Sequence, residues 1–467
     1  MASPTIVIIG GALSGPTAAA RAREIDGKAR IILLEQGAAV GYGVGGLAYH
    51  VSGEVPSLQA LARKRASVHD VNRIDIRTGA SVLRIDAEKH VLLLEGRTLA
   101  YDRLIYAAGA ESIVPDIPGL AGAANVFRFR TPKDLRGITA LLKRGARHVA
   151  ILGGGYFGVE AADGFLRRRC RVTVIERQPR ILPRHAAATA HMAAAALEAA
   201  GANVVTNASV RSIARRGSRL TGLVLGDGRT VKADLLIIAA GLRPRTDLLR
   251  DAGARLLADG TVPVDERAAT SLPDVFACGV CVSVPQAPSG VPMWFAQAAM
   301  ADKTAQVAGI SAAGGDARIG PVLGTAILRA GKLTVARTGI IGTEAGPEAA
   351  TVRVEAPSHD VFFPGSEPVS IELTYDRSDG RVLGAEAAGR VGIDKRIDVL
   401  ATAIAGGMTV EQLAALDLAY APPYSAVRDP VNVAGAAAAA ARAGLAAPSA
   451  PVTAAGSAKR ASKGGRR

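Results

Sequence analysis

The chain has 467 residues, only 4% of them aromatic, and carries a net charge of +15. That length is enough for three ordinary domains, and three cysteines are too few for a disulfide scaffold and fit a reducing cytoplasm. The positive charge does not read as a nucleic-acid surface: Lys459, Arg460, Lys463, Arg466 and Arg467 crowd the last segment without interleaved aromatic residues.

In chain order, the apolar run 6–9 predicts a strand entering a glycine turn, Gly10-Gly11-Ala12-Leu13-Ser14-Gly15, with a helix after it. A second apolar run, 31–34, ends on Glu35. The pattern returns at 149–152, with Gly153-Gly154-Gly155-Tyr156-Phe157-Gly158 and then a run at 172–175 closed by Glu176. The first glycine permits the tight turn, the second lets backbone approach a pyrophosphate, and the third packs helix on strand. The acid at the next strand's end accepts hydrogen bonds from ribose hydroxyls. Two such units imply two dinucleotides, and therefore redox chemistry. Glu176 favours NADH over NADPH, because a carboxylate repels a 2′-phosphate, although Arg177 stands beside it.

Both blocks close with an apolar strand running into Ala-Ala-Gly, at 104–109 and 235–241, as repeats of one another do. The expected divisions are 1–114 with 242–320, then 115–241, then 321–434, leaving 435–467 as a low-complexity basic tail without fixed structure beyond its first few alanines. Helix is expected over 294–309, and a single helix over 396–405 in the last domain. Arg167, Arg168 and Arg169 are expected on the solvated side of the helix after the second turn. No apolar run approaches the roughly 20 residues that cross a bilayer. With no leader before the first strand, a soluble cytoplasmic protein is expected.

With these turns, the runs 301–309, 322–327 and 333–339, and above all Leu-Ala-Tyr-Ala-Pro-Pro-Tyr-Ser at 418–425 with Asp429-Pro430-Val431-Asn432, the chain resembles the FAD-dependent pyridine nucleotide-disulfide oxidoreductases. Within them it resembles the group of coenzyme A-disulfide reductase, NADH oxidase and NADH peroxidase. The resemblance implies an α/β fold: two Rossmann-like dinucleotide-binding domains, for FAD and NAD, plus a C-terminal α+β dimerisation domain. It places FAD on Gly10, Gly11, Ala12, Leu13, Gly15, Glu35, Gln36, Val82, Ala108, Gly109, Gly279, Val280 and Ala298. It places NAD(H) on Gly153, Gly155, Tyr156, Phe157, Gly158, Glu160, Glu176 and Gly241. Tyr156, Glu160, His50 and Tyr420 are the candidates for catalytic roles, with Tyr420 in a segment that approaches the partner subunit's flavin.

Three positions depart from that pattern. Gly45 stands where a redox cysteine of a Cys-Gly-x-Pro-Tyr motif belongs, followed by Gly46, Leu47, Ala48 and Tyr49. Leu13 replaces a peroxidase histidine, and Val280 replaces an aspartate that binds the ribityl chain. Glycine offers no thiolate. Cys278 and Cys281 lie on or beside a buried strand and read as inert core thiols; no metal site is read from them.

The expected function is hydride exchange between NAD(H) and flavin without a redox-active cysteine. One version of it is a catalytic subunit, in a homodimer or a larger complex, that links an acidic iron–sulfur partner to NAD, as flavin subunits do in 2-oxoacid:acceptor complexes such as phenylglyoxylate dehydrogenase. The alternatives are a stand-alone NADH:acceptor reductase or NADH oxidase, and a non-catalytic scaffold or sensor that keeps the fold. Disulfide or polysulfide reduction through Cys278 and Cys281 is a further rival.

Overall fold

A computed structural model describes residues 3–61 and 73–445, so the basic end of the tail, with Lys459 to Arg467, lies outside the described residues. The chain divides into two units, one of residues 1–324 with 329–331, the other of 325–328 and 332 onward.

The first unit contains the same design twice. Its first parallel sheet has the strand order Val275–Ala277, Arg103–Tyr106, Thr5–Ile9, Arg30–Glu35, Asp75–Thr78. Alternate residues serve opposite faces of it. Val7, Ile9, Ile32 and Leu34 join one core, while Ile6, Ile8, Ile31 and Leu33 join the other. A sheet covered on both faces explains why these strands are continuous apolar runs. The second parallel sheet runs Asn203–Val205, Arg171–Ile175, His148–Leu152, Leu235–Ile238, Val126–Phe127. Each sheet has its own three-stranded antiparallel layer, 82–100 in one and 210–232 in the other, inserted just before the strand that runs into Ala-Ala-Gly.

Small residues set how closely the helices pack. Ser14–Ile25 lies against Ala298–Ala312 through Ala18, Ala19 and Ala22. At Gly309 a β-carbon would collide with the Ala18 carbonyl. That second helix begins at Ala298 rather than Trp294, because Trp294 ends a short strand, Pro292–Trp294, and its indole N–H donates to the Val280 carbonyl at 2.8 Å.

The second unit is a mixed α+β body. Its sheet has the order Ala326–Ala330, Leu333–Gly339, Val382–Gly389, Pro368–Asp376, Ala349–Pro357, antiparallel through the last four strands. Two sequence expectations are corrected here. The helix expected over 396–405 begins at Ile393, and Val410–Ala414 and Pro430–Arg442 are helical too. The last of these takes in the first alanines of the low-complexity segment. Asp429 caps it by accepting the Val431 N–H at 3.0 Å, Pro430 occupies its first turn, and Ala437 and Ala438 are buried.

Candidate functional site

Both glycine turns sit at the carboxyl ends of the central strands of their sheets, where the chain leaves in opposite directions to the neighbouring strands and opens a crevice. The two share their backbone requirements. Gly10 and Gly153 have φ of +108° and +109°, a region that L side chains rarely enter. A β-carbon on Gly15 or Gly158 would strike the carbonyl of Gly10 or Gly153. Neither following helix, Ser14–Ile25 or Tyr156–Arg167, has a side-chain cap, so its first N–H groups are left for an anion.

The two acids play matching parts. Glu35 accepts the Gly11 N–H at 2.7 Å and the Gly37 N–H at 2.6 Å. Glu176 accepts the Gly154 N–H at 2.7 Å and the Gln178 N–H at 2.8 Å. Each carboxylate is thereby oriented and retains lone pairs for ribose hydroxyls.

Around the first turn, the chain gathers at the same sheet edge. Gln36 follows Glu35 and is exposed, Ala108 and Gly109 follow the strand Arg103–Tyr106, and Gly279 and Val280 follow Val275–Ala277. Gly279 N–H donates to the Thr304 hydroxyl at 3.0 Å, and Ala298 opens the helix that carries Thr304. Val82 begins a strand of the adjoining antiparallel layer.

Around the second turn a cleft is bordered by Gly155, Tyr156, Phe157, Gly241 and the segment 128–130. Here the structure adds two residues that the sequence did not single out. Arg130 lies 5.2 Å from the Phe157 ring centre, and its buried Nη1 has no hydrogen-bond partner among the described residues. Tyr42 is held in the fields of Glu35, Arg130 and Arg245; burial first and then the Glu35 carboxylate push its phenol up. The only local signal at Arg130 is the capping box that follows it, Thr131 with Asp134.

One helical turn beyond Tyr156, Glu160 borders a water-sized cavity with Ala48, Tyr49, Asp163, Gly164 and Arg329. Burial, reinforced by the Asp163 carboxylate, pushes the Glu160 carboxyl up to about 7. Asp163 is tied to Arg167 at 3.0 Å, to Arg329 at 2.9 Å and to the Gly331 N–H at 3.0 Å. Arg329 also grips Glu54 with both terminal nitrogens, which holds that carboxyl down at about 2. The helices Leu47–Ser52 and Tyr156–Arg167 touch so closely at Gly164 that a β-carbon there would meet the Ala48 carbonyl at 2.7 Å. Tyr49, not His50, therefore faces Glu160. His50 is turned to its own segment, its Nδ1 2.8 Å from the Val55 carbonyl. Tyr420, in the second unit, is half exposed and donates to Asp360 at 2.5 Å. Arg167, Arg168 and Arg169 are exposed as expected, with Arg168 Nε donating to the Val51 carbonyl at 2.6 Å.

Comparison with known proteins agrees with this geometry. Residues 4–304 match the pyridine nucleotide-disulphide oxidoreductase family, and residues 331–430 match the dimerisation domain of the same family. The chain belongs to that family. Among its relatives is a protein named NADH oxidase from Methanocaldococcus jannaschii, 28% identical over 92% of this chain and 97% of that protein. A CoA-dependent NAD(P)H sulfur oxidoreductase from Pyrococcus abyssi is 30% identical, again over 92% and 97%. A solved NAD-dependent persulfide reductase from A. fulgidus superposes with a TM-score of 0.90 at 32% identity, covering 94% of this chain and 84% of that one.

As a pyridine nucleotide-disulphide oxidoreductase the chain is an enzyme of FAD and NAD(P)H. Its residues fit both dinucleotides: each turn is a cradle that a β-carbon would fill or distort, and each has an oriented acid. Val280 offers no carboxylate at the first site; the turn around it is held by Thr304 and Trp294 instead. A β-carbon placed on Gly45 meets no atom within 4 Å. The three cysteines, Cys170, Cys278 and Cys281, are all buried. Burial pushes the Cys278 thiol well above its ordinary range and Cys281 up to about 11, which disfavours the thiolate needed for disulfide chemistry. Among the described residues no helix is long and apolar enough to cross a membrane.

Proposed function

We propose that this flavoenzyme exchanges hydride between NAD(H) and FAD without a redox-active cysteine, and that its electrons enter or leave through a separate protein. The observation that carries this reading is Gly45. The segment 43–52 packs its Ala48 and Tyr49 on the helix of the second turn, beside Glu160, yet offers only open space where a thiol would be expected. No other cysteine substitutes for it, since all three are buried with their thiols disfavoured for ionisation or held in the core.

Bound FAD supplies the hydride-accepting centre, and the protein's own groups do the rest. The glycine turns and Glu35 and Glu176 hold the two dinucleotides. Tyr156 and Phe157 line the cleft beside the second turn. Glu160, with a carboxyl near pH 7, holds or releases a proton at neutral pH where an ordinary glutamate is already ionised. A basic surface suits an acidic iron–sulfur partner. The family's dimerisation domain, with Phe362, Tyr424 and Val427 exposed, supports a homodimer that brings Tyr420 to the other subunit's site. The relative named NADH oxidase favours a second version, in which a small acceptor takes the electrons directly. The intact turns and acids weigh against a scaffold that binds neither dinucleotide.

Anaerobic titration with NADH tests the reading. A flavin without a cysteine partner bleaches completely with about one NADH per flavin, because there is no disulfide to fill first. A requirement for two NADH per flavin, or a flavin that does not bleach at all, overturns it.

A further inference from the structure

One histidine without an evident role in the sequence sits inside the second dinucleotide site. His185 is 2% exposed. Its Nε2 lies 2.6 Å from the Tyr156 hydroxyl, and the two rings are 5.4 Å apart between centres. Tyr156 is the first residue of the helix that leaves the glycine turn, and its ring borders the cleft. His185 ends the loop that runs from Glu176 to the helix Ala187–Ala199. That loop grips the turn at two other points. Leu182 N–H donates to the Gly154 carbonyl at 2.8 Å, and the Ile181 side chain fills the space over Gly154.

The first turn provides an internal comparison. There, Gly41 N–H donates to the Gly11 carbonyl at 2.8 Å, and Val40 covers Gly11. Two of the three grips are thus repeated. The third is not, because the residue corresponding to Tyr156 is Leu13, which has no hydroxyl. A turn of this kind therefore stands without the polar link, so the link's role is sought in what only the second site holds.

The loop 177–185 carries Arg177, exposed beside the ribose acid, and Arg180, whose buried Nε has no hydrogen-bond partner among the described residues. We propose that His185 is a positioning residue for the nicotinamide dinucleotide: through the Tyr156 hydroxyl it fixes the loop 177–185 over the second turn and holds the phenol ring at the cleft wall. Released, the ring enters the cleft and the loop loses its register with the turn. The inference rests on reading this cleft as the NAD site. Loss of the link is expected to cost the net strength of one hydrogen bond, a factor of about 5–10 in affinity.

The test is calorimetric titration of the oxidised holoprotein with NAD⁺, which binds without reducing the flavin, using His185→Phe, Tyr156→Phe and the double variant. Each single variant is expected to weaken NAD⁺ about 5–10-fold, and the double variant no more than either one, since both remove the same link. In turnover, KM for NADH rises by the same factor while kcat and flavin content hold, and His185→Gln recovers most of the loss. Multiplying losses in the double variant, or unchanged NAD⁺ affinity in Tyr156→Phe, overturns the proposal. Tyr156→Phe removes a single oxygen, so it decides the question even if His185→Phe does not fold. If the proposed hydride exchange itself is wrong, wild-type protein binds NAD⁺ normally but NADH fails to bleach its flavin.

Discussion

Glu160 has surroundings unlike those of an ordinary surface acid. Its carboxyl is packed among Ala48, Tyr49 and Gly164, and the neighbouring carboxylate of Asp163 is already committed to Arg167, Arg329 and the Gly331 N–H. Arg329 in turn is committed to Glu54, so among the described residues neither of these arginines is left over for Glu160. Its folded value of about 7 lies above the ordinary carboxylate value of 4.5. Below about pH 4.5 Glu160 is protonated in both folded and unfolded chains. Between there and about 7 only the unfolded chain releases the proton, so the residue's contribution to stability is lost as pH rises through that window. Glu160→Gln removes this dependence. Urea unfolding at pH 4 and pH 8 should show the variant matching wild type relative to its own baseline at pH 4 and gaining about 1–3 kcal/mol on it at pH 8. An equal difference at both pH values sinks the assignment of a raised carboxyl.

At the scale of elements, the two strand–turn–helix units make a matched experiment. Gly15→Ala and Gly158→Ala place the same methyl against the same kind of carbonyl, that of Gly10 in one case and Gly153 in the other. Gly15→Ala is expected to purify with its flavin content reduced by half or more. Gly158→Ala should stay yellow and lose at least about tenfold in NAD⁺ affinity, since helix and strand must separate to admit the methyl. Loss of flavin from Gly158→Ala alone would reverse the assignment of the two turns. These units were legible in the sequence because their requirements are local: glycines at fixed spacing, an apolar strand before and an acid after. What escaped is non-local. Tyr156 and His185 are 29 residues apart, and Tyr49 meets Glu160 only because two helices touch at Gly164. The helix Pro430–Arg442 was hidden for a different reason. Its alanine run has the composition of a linker, and only tertiary contact, such as Gly435 against the backbone of Ala414, shows why it is ordered.

For the whole molecule, charge is the property that composition reports and local structure does not. Fifty-six lysines and arginines stand against 41 acids. Many of the described basic residues are paired with acids, Arg21 with Glu24, Arg243 with Glu111, Arg250 with Asp247 and Arg267 with Asp316, which leaves the net excess as it is. Exposed pairs of this kind contribute little to stability. The unbalanced remainder acts at a distance instead, as a positive field that speeds encounter with an acidic partner and is screened by salt. The proposed relay makes a specific demand of that field. Electron exchange with an acidic iron–sulfur protein such as a ferredoxin should slow at least about tenfold between 20 mM and 300 mM salt, because the Debye length contracts severalfold over that range. Exchange with a small uncharged quinone, which feels no such field, should change less than twofold. Stopped-flow rates with the two acceptors, at matched flavin reduction, separate the versions of the function. Equal salt responses would place the protein with direct reductases of small acceptors and leave its positive charge to solubility.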